Sequence, residues 1–455
     1  MTGTTRSGSI RGRRRGRRPD GREPDGHDSP SDVPSAARPA APPTGGPRTG
    51  GPRTGGPTGT AGTVGLVLLA SIIVSFLAAS SAPTPVYALY AARWHFSPIT
   101  TTVVFGVYAV VVLAALLVLG RVSGHLGRRP VLLAALALQA GAMVVFSTAG
   151  GVGALIAGRV LQGVATGSAL GALGAAMLDI DRERGTRANA VAPSLGTGVG
   201  ALLSGLVVQY LPAPTHLVYL VFVGVFALQA AGVAVLPLPG TGRRAPGLRA
   251  SLVPELAVPR RLRGPLLAVA PVLFAVWSLG GFYGSLAPAL ARELAGSDSA
   301  VVGGLGLFVL TVVSSATAVS LGRVPPRAVM FLGVTLLVLG SLGTLAAVEL
   351  SSFAGFFAGT LVSGVGFGAG FQGGMRTVVP LVDEHERAGV LSAVYVICYL
   401  GMGLPAVIAG VLVVHGGGLA AATRDYAWFV VALAVATLIA LLRLEAPGAA
   451  GRPGH

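Results

Sequence analysis

Three polar residues, Arg159, Gln162 and Thr166, lie within one apolar run, residues 152–177. Their spacing of three and four positions places them on one face of a helix. An arginine in the hydrocarbon core of a membrane costs about 3 kcal/mol or more, so it must face a polar cavity or a hydrogen-bonding partner. Two interpretations stay open. Arg159 contacts a substrate or takes part in proton coupling, or it is a structural arginine bonded to carbonyl groups of neighbouring helices.

The acidic residues are informative because all 17 lie in tails, loops or the ends of apolar runs. The histidines are placed in the same way. A proton relay needs a group that titrates inside the bilayer, so the sequence leaves proton coupling open and suits a neutral or anionic substrate better than a cation. A second arginine, Arg376, lies near the end of its apolar run. We expect it to extend to the surface or to pair with Asp383.

Composition places the chain among polytopic membrane proteins. Hydrophobic residues make up 52% of the 455 residues and charged residues only 11%, whereas soluble domains carry about 25% charged residues. Metal-ligand clusters, phosphate-binding glycine loops and serine-hydrolase elbows are absent from the sequence, and the single cysteine excludes an intrachain disulfide. We therefore predict a protein that is not an enzyme and that needs no cofactor or metal.

Apolar runs separated by short polar turns fill the chain from residue 64 onward. Each run is long enough to cross the roughly 30 Å hydrocarbon core as a helix. The predicted spans are 64–90, 99–119, 131–149, 152–177, 188–210, 216–236, 266–290, 300–321, 328–348, 353–379, 388–413 and 426–442. The predicted fold class is an all-α membrane protein with twelve transmembrane helices.

Arginine is concentrated in alternate turns. The turns at 121–129, 182–187 and 323–327 are rich in arginine, as is the long segment 237–264. The intervening turns hold only Arg93, Arg292 and Arg424. Because short loops rich in arginine stay in the cytoplasm, we predict a multi-pass protein of the cell (inner, cytoplasmic) membrane with both termini in the cytoplasm.

The chain also repeats internally. The segment AGRVLQGVATG from Ala157 aligns with AGTLVSGVGFG from Ala358. The predicted parts are a disordered Arg/Gly/Pro-rich cytoplasmic tail (1–62), a six-helix bundle (63–236), a basic cytoplasmic linker (237–264), a second six-helix bundle (265–445) and a cytoplasmic C-terminal tail (446–455). No aromatic residue interrupts the N-terminal tail for base stacking, so a nucleic-acid partner is not expected.

Small residues at four-residue intervals let helices approach closely in lipid. The expected packing residues are Gly163, Gly167, Gly196, Gly200 and Gly205.

The loop GRVSGHLGRRP, residues 120–130, resembles the signature between helices two and three of the major facilitator superfamily, Gly-x-Leu-x-Asp-Arg-x-Gly-Arg-Arg/Lys. Gly124 and His125 depart from that signature. Arg159-x-x-Gln162-Gly163 resembles the fourth-helix motif of the family, and the segment 200–205 is similar to its antiporter motif, with alanine in place of proline. The segments 83–90, 281–288 and 386–410 resemble a bacterial efflux or permease branch with poorly defined substrates.

The resemblance implies two pseudo-symmetric six-helix bundles that rock about a midplane cavity. It places in that cavity Arg159, Gln162, Thr166, Ser75, Tyr87, Trp277, Tyr283 and Gln372, with Tyr395 and Tyr399 as further members. It implies a cytoplasmic gate formed by Gly120, Gly127, Arg128, Arg129 and Asp179. A second gate or coupling group in the other half comprises Arg376, Asp383, Glu386 and Arg387.

The function implied by the resemblance is secondary transport of a small molecule by alternating access, with efflux of a drug-like or sugar-like substrate as the first expectation. A facilitated-diffusion uniporter or importer is the alternative, and a non-transporting membrane receptor or scaffold on the same fold is another. The expected partners are the small-molecule substrate, the lipid bilayer and, if transport is coupled, protons. The protein is expected to act as a monomer.

Overall fold

The computed structural model of the chain describes residues 59–120, 122–236, 257–383 and 386–443. These residues form helices and connecting turns, with no strand among them. Twelve of their helices are long and apolar enough to cross a membrane, which confirms the predicted number of spans. The predicted C-terminal tail, nearly all of the N-terminal tail and most of the predicted linker lie outside the described residues.

The first half of the chain supplies six long helices. They are α1 (Thr60–Ser81), α2 (Pro98–Leu119), α3 (Arg128–Ser147), α4 (Val152–Ile180), α5 (Arg182–Tyr210) and α6 (Pro214–Val235). A short helix, Val122–Leu126, precedes α3, and α1 continues beyond Ala82 as a second segment, Pro83–Trp94.

The second half repeats this arrangement. Its long helices are α7 (Arg260–Ser285), α8 (Ala300–Ser320), α9 (Pro326–Glu349), α10 (Phe353–Val378), α11 (Arg387–His415) and α12 (Gly418–Arg443). A second segment, Ala287–Ala295, follows α7 after Leu286, just as a second segment follows α1. The first helix of each half is therefore interrupted at the same place, after its C-terminal residue Ser81 or Ser285.

Three helices begin six or more residues before their predicted starts. Helix α5 begins at Arg182 rather than 188, because the Asp181 carboxylate caps it by accepting a hydrogen bond from the Arg184 amide at 2.9 Å. Helix α12 begins at Gly418 rather than 426, so Arg424 lies within it. Helix α7 already includes residues 260–264, which were assigned to the linker. In each case a charged or glycine-rich end extends an apolar helix, which hydropathy alone does not detect.

The buried apolar side chains form two large clusters. One is drawn from α1–α6, and the other comes from α7–α12 with the addition of Ala201 of α5. Between them, α5 packs on α8 and α2 packs on α11. These two helix pairs form most of the contact between the halves, and we call the region between them the seam.

Glycines allow the close approaches on which this packing depends. A Cβ atom on Gly163 would lie 2.8 Å from Val111 Cβ, and one on Gly167 would lie 2.7 Å from Val112 O, both on α2. Larger side chains at these positions would push α4 away from α2. The other three predicted packing glycines behave alike, with Gly196 and Gly200 against α1 and Gly205 against α8.

Candidate functional site

Arg159 lies fully buried in the first half and donates four hydrogen bonds. Its Nε and Nη2 donate to the Tyr87 hydroxyl at 2.9 and 2.7 Å. Its Nη1 donates to the Ser80 carbonyl at 2.7 Å and to Gln162 Oε1 at 2.6 Å. Gln162 in turn donates to the Ala79 carbonyl at 3.0 Å. We call these residues the Arg159 cluster.

The interruption of α1 explains why these carbonyl groups can accept hydrogen bonds. Pro83 has no N–H, so the Ala79 carbonyl four residues earlier lacks its helical donor. Gln162 of α4 supplies the missing donor, while Arg159 bonds the adjacent Ser80 carbonyl. The sequence thus places a proline break on α1 opposite an arginine and a glutamine on α4.

Aromatic rings surround the guanidinium group. Its Cζ atom lies 5.2 Å from the centroid of the Tyr108 ring, 5.6 Å from that of Tyr87 and 5.8 Å from that of Phe146. The ion pairs of the described residues do not include Arg159 and lie near helix ends. Its charge is therefore stabilised by hydroxyl and carbonyl oxygens and by aromatic faces rather than by a carboxylate.

The structure brings together only part of the predicted cavity set. Arg159, Gln162 and Tyr87 are in contact, and Thr166 lies on the same face of α4, where its buried Oγ1 has no hydrogen-bond partner among the described residues. Ser75 lies elsewhere: its hydroxyl donates to Gln229 Oε1 of α6 at 2.9 Å.

The predicted residues of the second half are also dispersed. The Tyr283 hydroxyl is 2.7 Å from Thr360 Oγ1 inside the core of that half. Gln372 donates to the Ala318 carbonyl of α8 at 2.8 Å. Trp277 lies at the seam, where its ring centroid is 4.8 Å from that of Tyr399.

Sequence reasoning missed Tyr108 of α2. Its ring contacts Arg159 in the first half and packs in one cluster with Tyr399 of the second half. The available signal was a single tyrosine inside the very apolar run TTVVFGVYAVVV, residues 101–112. Tyr108 therefore links the Arg159 cluster to the seam.

The predicted gate residues of the first half form local contacts. Arg128 makes an ion pair with Asp179 at 2.5 Å, and Arg129 donates to the Leu236 carbonyl at 2.7 Å. Gly127, with φ of 89°, makes the sharp turn into α3 that a side chain would strain. Gly120 follows the last residue of α2. All of these contacts stay within the first half.

In the described part of the chain, the predicted residues of the second half do not pair with one another; two of them pair with Arg261, which the sequence places in the linker. Arg261 bonds Asp383 at 2.5 Å and also pairs with Glu386. Arg376 donates to the Leu321 carbonyl at 3.2 Å, which satisfies the end of α8. Arg387 is exposed at the start of α11. We call this end of the molecule, with Arg128 and Asp383, the basic end.

Two hydrogen bonds between described residues of the two halves lie at the opposite end. The Thr84 hydroxyl donates to the Gly284 carbonyl at 3.2 Å, and the Ala300 amide donates to Gln209 Oε1 at 3.1 Å. Glycine contacts occur on the same side, where a Cβ on Gly284 would lie 2.7 Å from the Phe105 ring and one on Gly205 would lie 2.8 Å from Ala300 O. We call this end the closed end, because hydrogen bonds and close glycine contacts join the halves there. The ion pairs Arg128–Asp179 and Arg261–Asp383 of the basic end each lie within one half.

These features define a class of polytopic membrane protein with two packed helical halves, a closed end and a charged group buried beside the seam. The family model for the major facilitator superfamily matches residues 67–325. The chain therefore belongs to the major facilitator superfamily, which confirms the family resemblance of its motifs. Among solved structures, the chain is similar to the nucleoside transporter NupG, crystallised as a point mutant. The TM-score is 0.64 at 12% identity, and the match covers 85% of this chain and 99% of that one.

Proposed function

We propose that the protein is a secondary transporter that carries a small molecule across the cell membrane by alternating access. The single observation that carries this proposal is the uneven contact between the halves. Hydrogen bonds from one half to the other, through Thr84 and Gln209, lie at the closed end. The ion pairs of the basic end stay within one half. Such an arrangement suits one of two alternating states, in which the halves separate at the basic end.

The distribution of arginine indicates which side of the membrane each end of the molecule faces. Because short basic loops stay in the cytoplasm, the basic end is cytoplasmic and both termini lie on that side. The state described is then open toward the cytoplasm, where a substrate for export would enter. Importers also pass through such a state, so the direction that we propose, export, rests on the resemblance of segments 83–90, 281–288 and 386–410 to an efflux or permease branch. We further propose that the protein works as a monomer and is not an enzyme.

The chemistry beside the seam favours a substrate without a positive charge. Arg159 is fully buried and makes no ion pair with a carboxylate of the described residues, so its potential repels cations that approach through the seam. The similar structure is that of a nucleoside transporter, and a nucleoside is a neutral molecule of suitable size. Nucleosides are therefore the first compounds to test.

Flux measurements in vesicles of known orientation test the proposal. The panel includes nucleosides, sugars and aromatic drugs, each with and without a pH gradient. Saturable flux of at least one compound is expected, and flux that depends on the gradient would establish proton coupling. Full flux after deletion of residues 1–58 would exclude a receptor that signals through its tail. The absence of flux for the whole panel, with an effect on cells that is lost with the tail, would contradict transport.

A further inference from the structure

Aromatic side chains from both halves meet at the seam. Tyr108 of α2 and Tyr399 of α11 are buried there, and the partly buried Trp277 of α7 and Tyr395 of α11 pack against them. The Trp277 ring centroid lies 4.8 Å from that of Tyr399 and 6.2 Å from that of Phe371 of α10. Four helices thus contribute rings to one cluster, which we call the aromatic cluster.

The cluster has hydrogen-bonding groups that the protein itself does not use. Tyr399 is only 7% exposed, yet its hydroxyl makes no hydrogen bond to any described residue. The same holds for the hydroxyl of the partly buried Tyr395. Most buried polar groups in proteins are hydrogen-bonded. The Tyr219 hydroxyl is a fully buried group of this kind, whereas the Tyr399 and Tyr395 hydroxyls are not enclosed in the same way. They therefore reach accessible space beside the partly buried rings, where an external molecule can form a hydrogen bond with them.

The charges around the cluster restrict that molecule further. On one side Tyr108 lies with its ring 5.2 Å from Arg159 Cζ, which makes the local potential positive. The acidic residues that could oppose this potential lie near helix ends, such as Asp179 and Asp383 in the pairs of the basic end. Aromatic groups can also bind cations, but the buried guanidinium group opposes this here.

We propose that the aromatic cluster binds a flat aromatic or heteroaromatic ring that carries no positive charge. Trp277 and Tyr399 contact the faces and edges of the ring, and the Tyr399 hydroxyl bonds a polar group on it. Arg159 acts through Tyr108 rather than by direct contact, because four hydrogen bonds already hold its guanidinium group against Tyr87, Ser80 and Gln162. The inference rests on the proposed transport function and names its substrate class.

Trp277 can report on binding directly. The chain has three tryptophans, and replacing the other two in the double variant Trp94→Phe, Trp428→Phe leaves Trp277 as the only one. Trp94 stacks on Tyr90 away from the seam, and Trp428 is 52% exposed. The purified full chain in detergent is titrated with uridine (neutral, aromatic), benzoate (anionic, aromatic), tetraphenylphosphonium (cationic, aromatic) and mannitol (neutral, not aromatic).

The expected result is a saturable change in Trp277 fluorescence with uridine or benzoate and none with tetraphenylphosphonium or mannitol. Tyr399→Phe removes one hydrogen bond and should weaken this binding by about 2-fold to 10-fold. The matched control is Tyr219→Phe, which removes a buried hydroxyl without a partner in the core of the first half. This control should leave binding within about twofold of the parent, since no ligand contact is lost.

Three results would overturn the proposed substrate class. They are the lack of a response to both uridine and benzoate, tighter binding of tetraphenylphosphonium than of either, and equal weakening by Tyr399→Phe and Tyr219→Phe. The failure of transport gives a different pattern, because binding needs no flux. Saturable Trp277 quenching without flux would contradict only the transport function, whereas flux of sugars without quenching would contradict only the aromatic site.

Discussion

The two halves of the protein carry different chemistry at matching positions. The aligned repeat AGRVLQGVATG and AGTLVSGVGFG places Thr360 where Arg159 stands and Ser363 where Gln162 stands. Arg159 reaches across to the Ser80 carbonyl and the Tyr87 hydroxyl of the first helix. Thr360 contacts the Tyr283 hydroxyl at 2.7 Å and donates to the Phe356 carbonyl of its own helix at 2.8 Å.

The glycines of the same repeat differ much less. A Cβ on Gly163 would lie 2.8 Å from an α2 side chain, and a Cβ on its counterpart Gly364 would lie 2.9 Å from Leu310 O of α8. For Gly167 and Gly368 the corresponding distances are 2.7 and 2.5 Å. Helix packing is therefore retained in both halves, whereas the buried charge occurs in one. The difference teaches that the glycine packing is common to both halves, whereas the hydrogen bonds of Arg159 belong to the first half.

The largest expected effect comes from removing the charge. Arg159→Met loses its hydrogen bonds, at about 1 to 3 kcal/mol for each buried group left without a partner, but it also removes the burial cost of the charge, about 3 kcal/mol. Three buried acceptors, on Tyr87, Ser80 and Gln162, lose their donor, so the loss of about 3 to 9 kcal/mol equals or exceeds the gain. Flux is therefore compared per folded molecule, and it should fall at least about tenfold. Thr360→Val is the matched change in the second half and should leave flux within about twofold. Equal flux in the two variants would show that Arg159 is structural.

Replacing paired glycines by alanine should destabilise the protein equally in the two halves. Gly167→Ala and Gly368→Ala each place a methyl group within 3.0 Å of a neighbouring helix, which should destabilise the protein by about 1–3 kcal/mol. Gly224→Ala is the control, because no atom lies within 4 Å of its added Cβ. Thermal unfolding in detergent measures all three. A large effect in one half alone would contradict equivalent packing.

Two buried tyrosines, one in each half, should show different losses of stability when they are replaced by phenylalanine. Tyr87→Phe leaves two N–H groups of a buried guanidinium without an acceptor and should cost about 1–3 kcal/mol for each. Tyr283→Phe removes a bond between two neutral hydroxyls and should cost about 0.5–1.5 kcal/mol. The unfolding midpoints of the two variants show which substitution destabilises the protein more. A larger loss for Tyr283→Phe would mean that water forms hydrogen bonds with Arg159 in place of Tyr87.

The ion pairs of the basic end should matter least for stability. Arg128 and Asp179 are 16% and 45% exposed, so solvent screens their interaction, which should contribute less than about 1 kcal/mol. A double-mutant cycle with Arg128→Gln and Asp179→Asn measures it at low and high salt. A coupling that exceeds this range and does not fall with salt would indicate a tighter gate than the geometry suggests.

Much of the fold could be predicted from the sequence, because a chain in lipid must satisfy its backbone groups within helices. Hydropathy gave the twelve spans, and the repeat identified the two halves. The partners of Arg159 could not be predicted, since Ser80 and Tyr87 lie more than 70 residues away along the chain. The position of Ser75 against Gln229 depends on the rotation of α1, which an apolar run does not encode.

Distances between the halves at both ends test alternating access most directly. Spin labels on Ser97 and Val414 report the closed end, and labels on Arg187 and Arg387 report the basic end; the native Cys398 is fully buried. Pulsed electron resonance in lipid, with and without a transported compound, should show two populations in which one distance lengthens as the other shortens. A single fixed distance at each end, unchanged by that compound, would contradict alternating access.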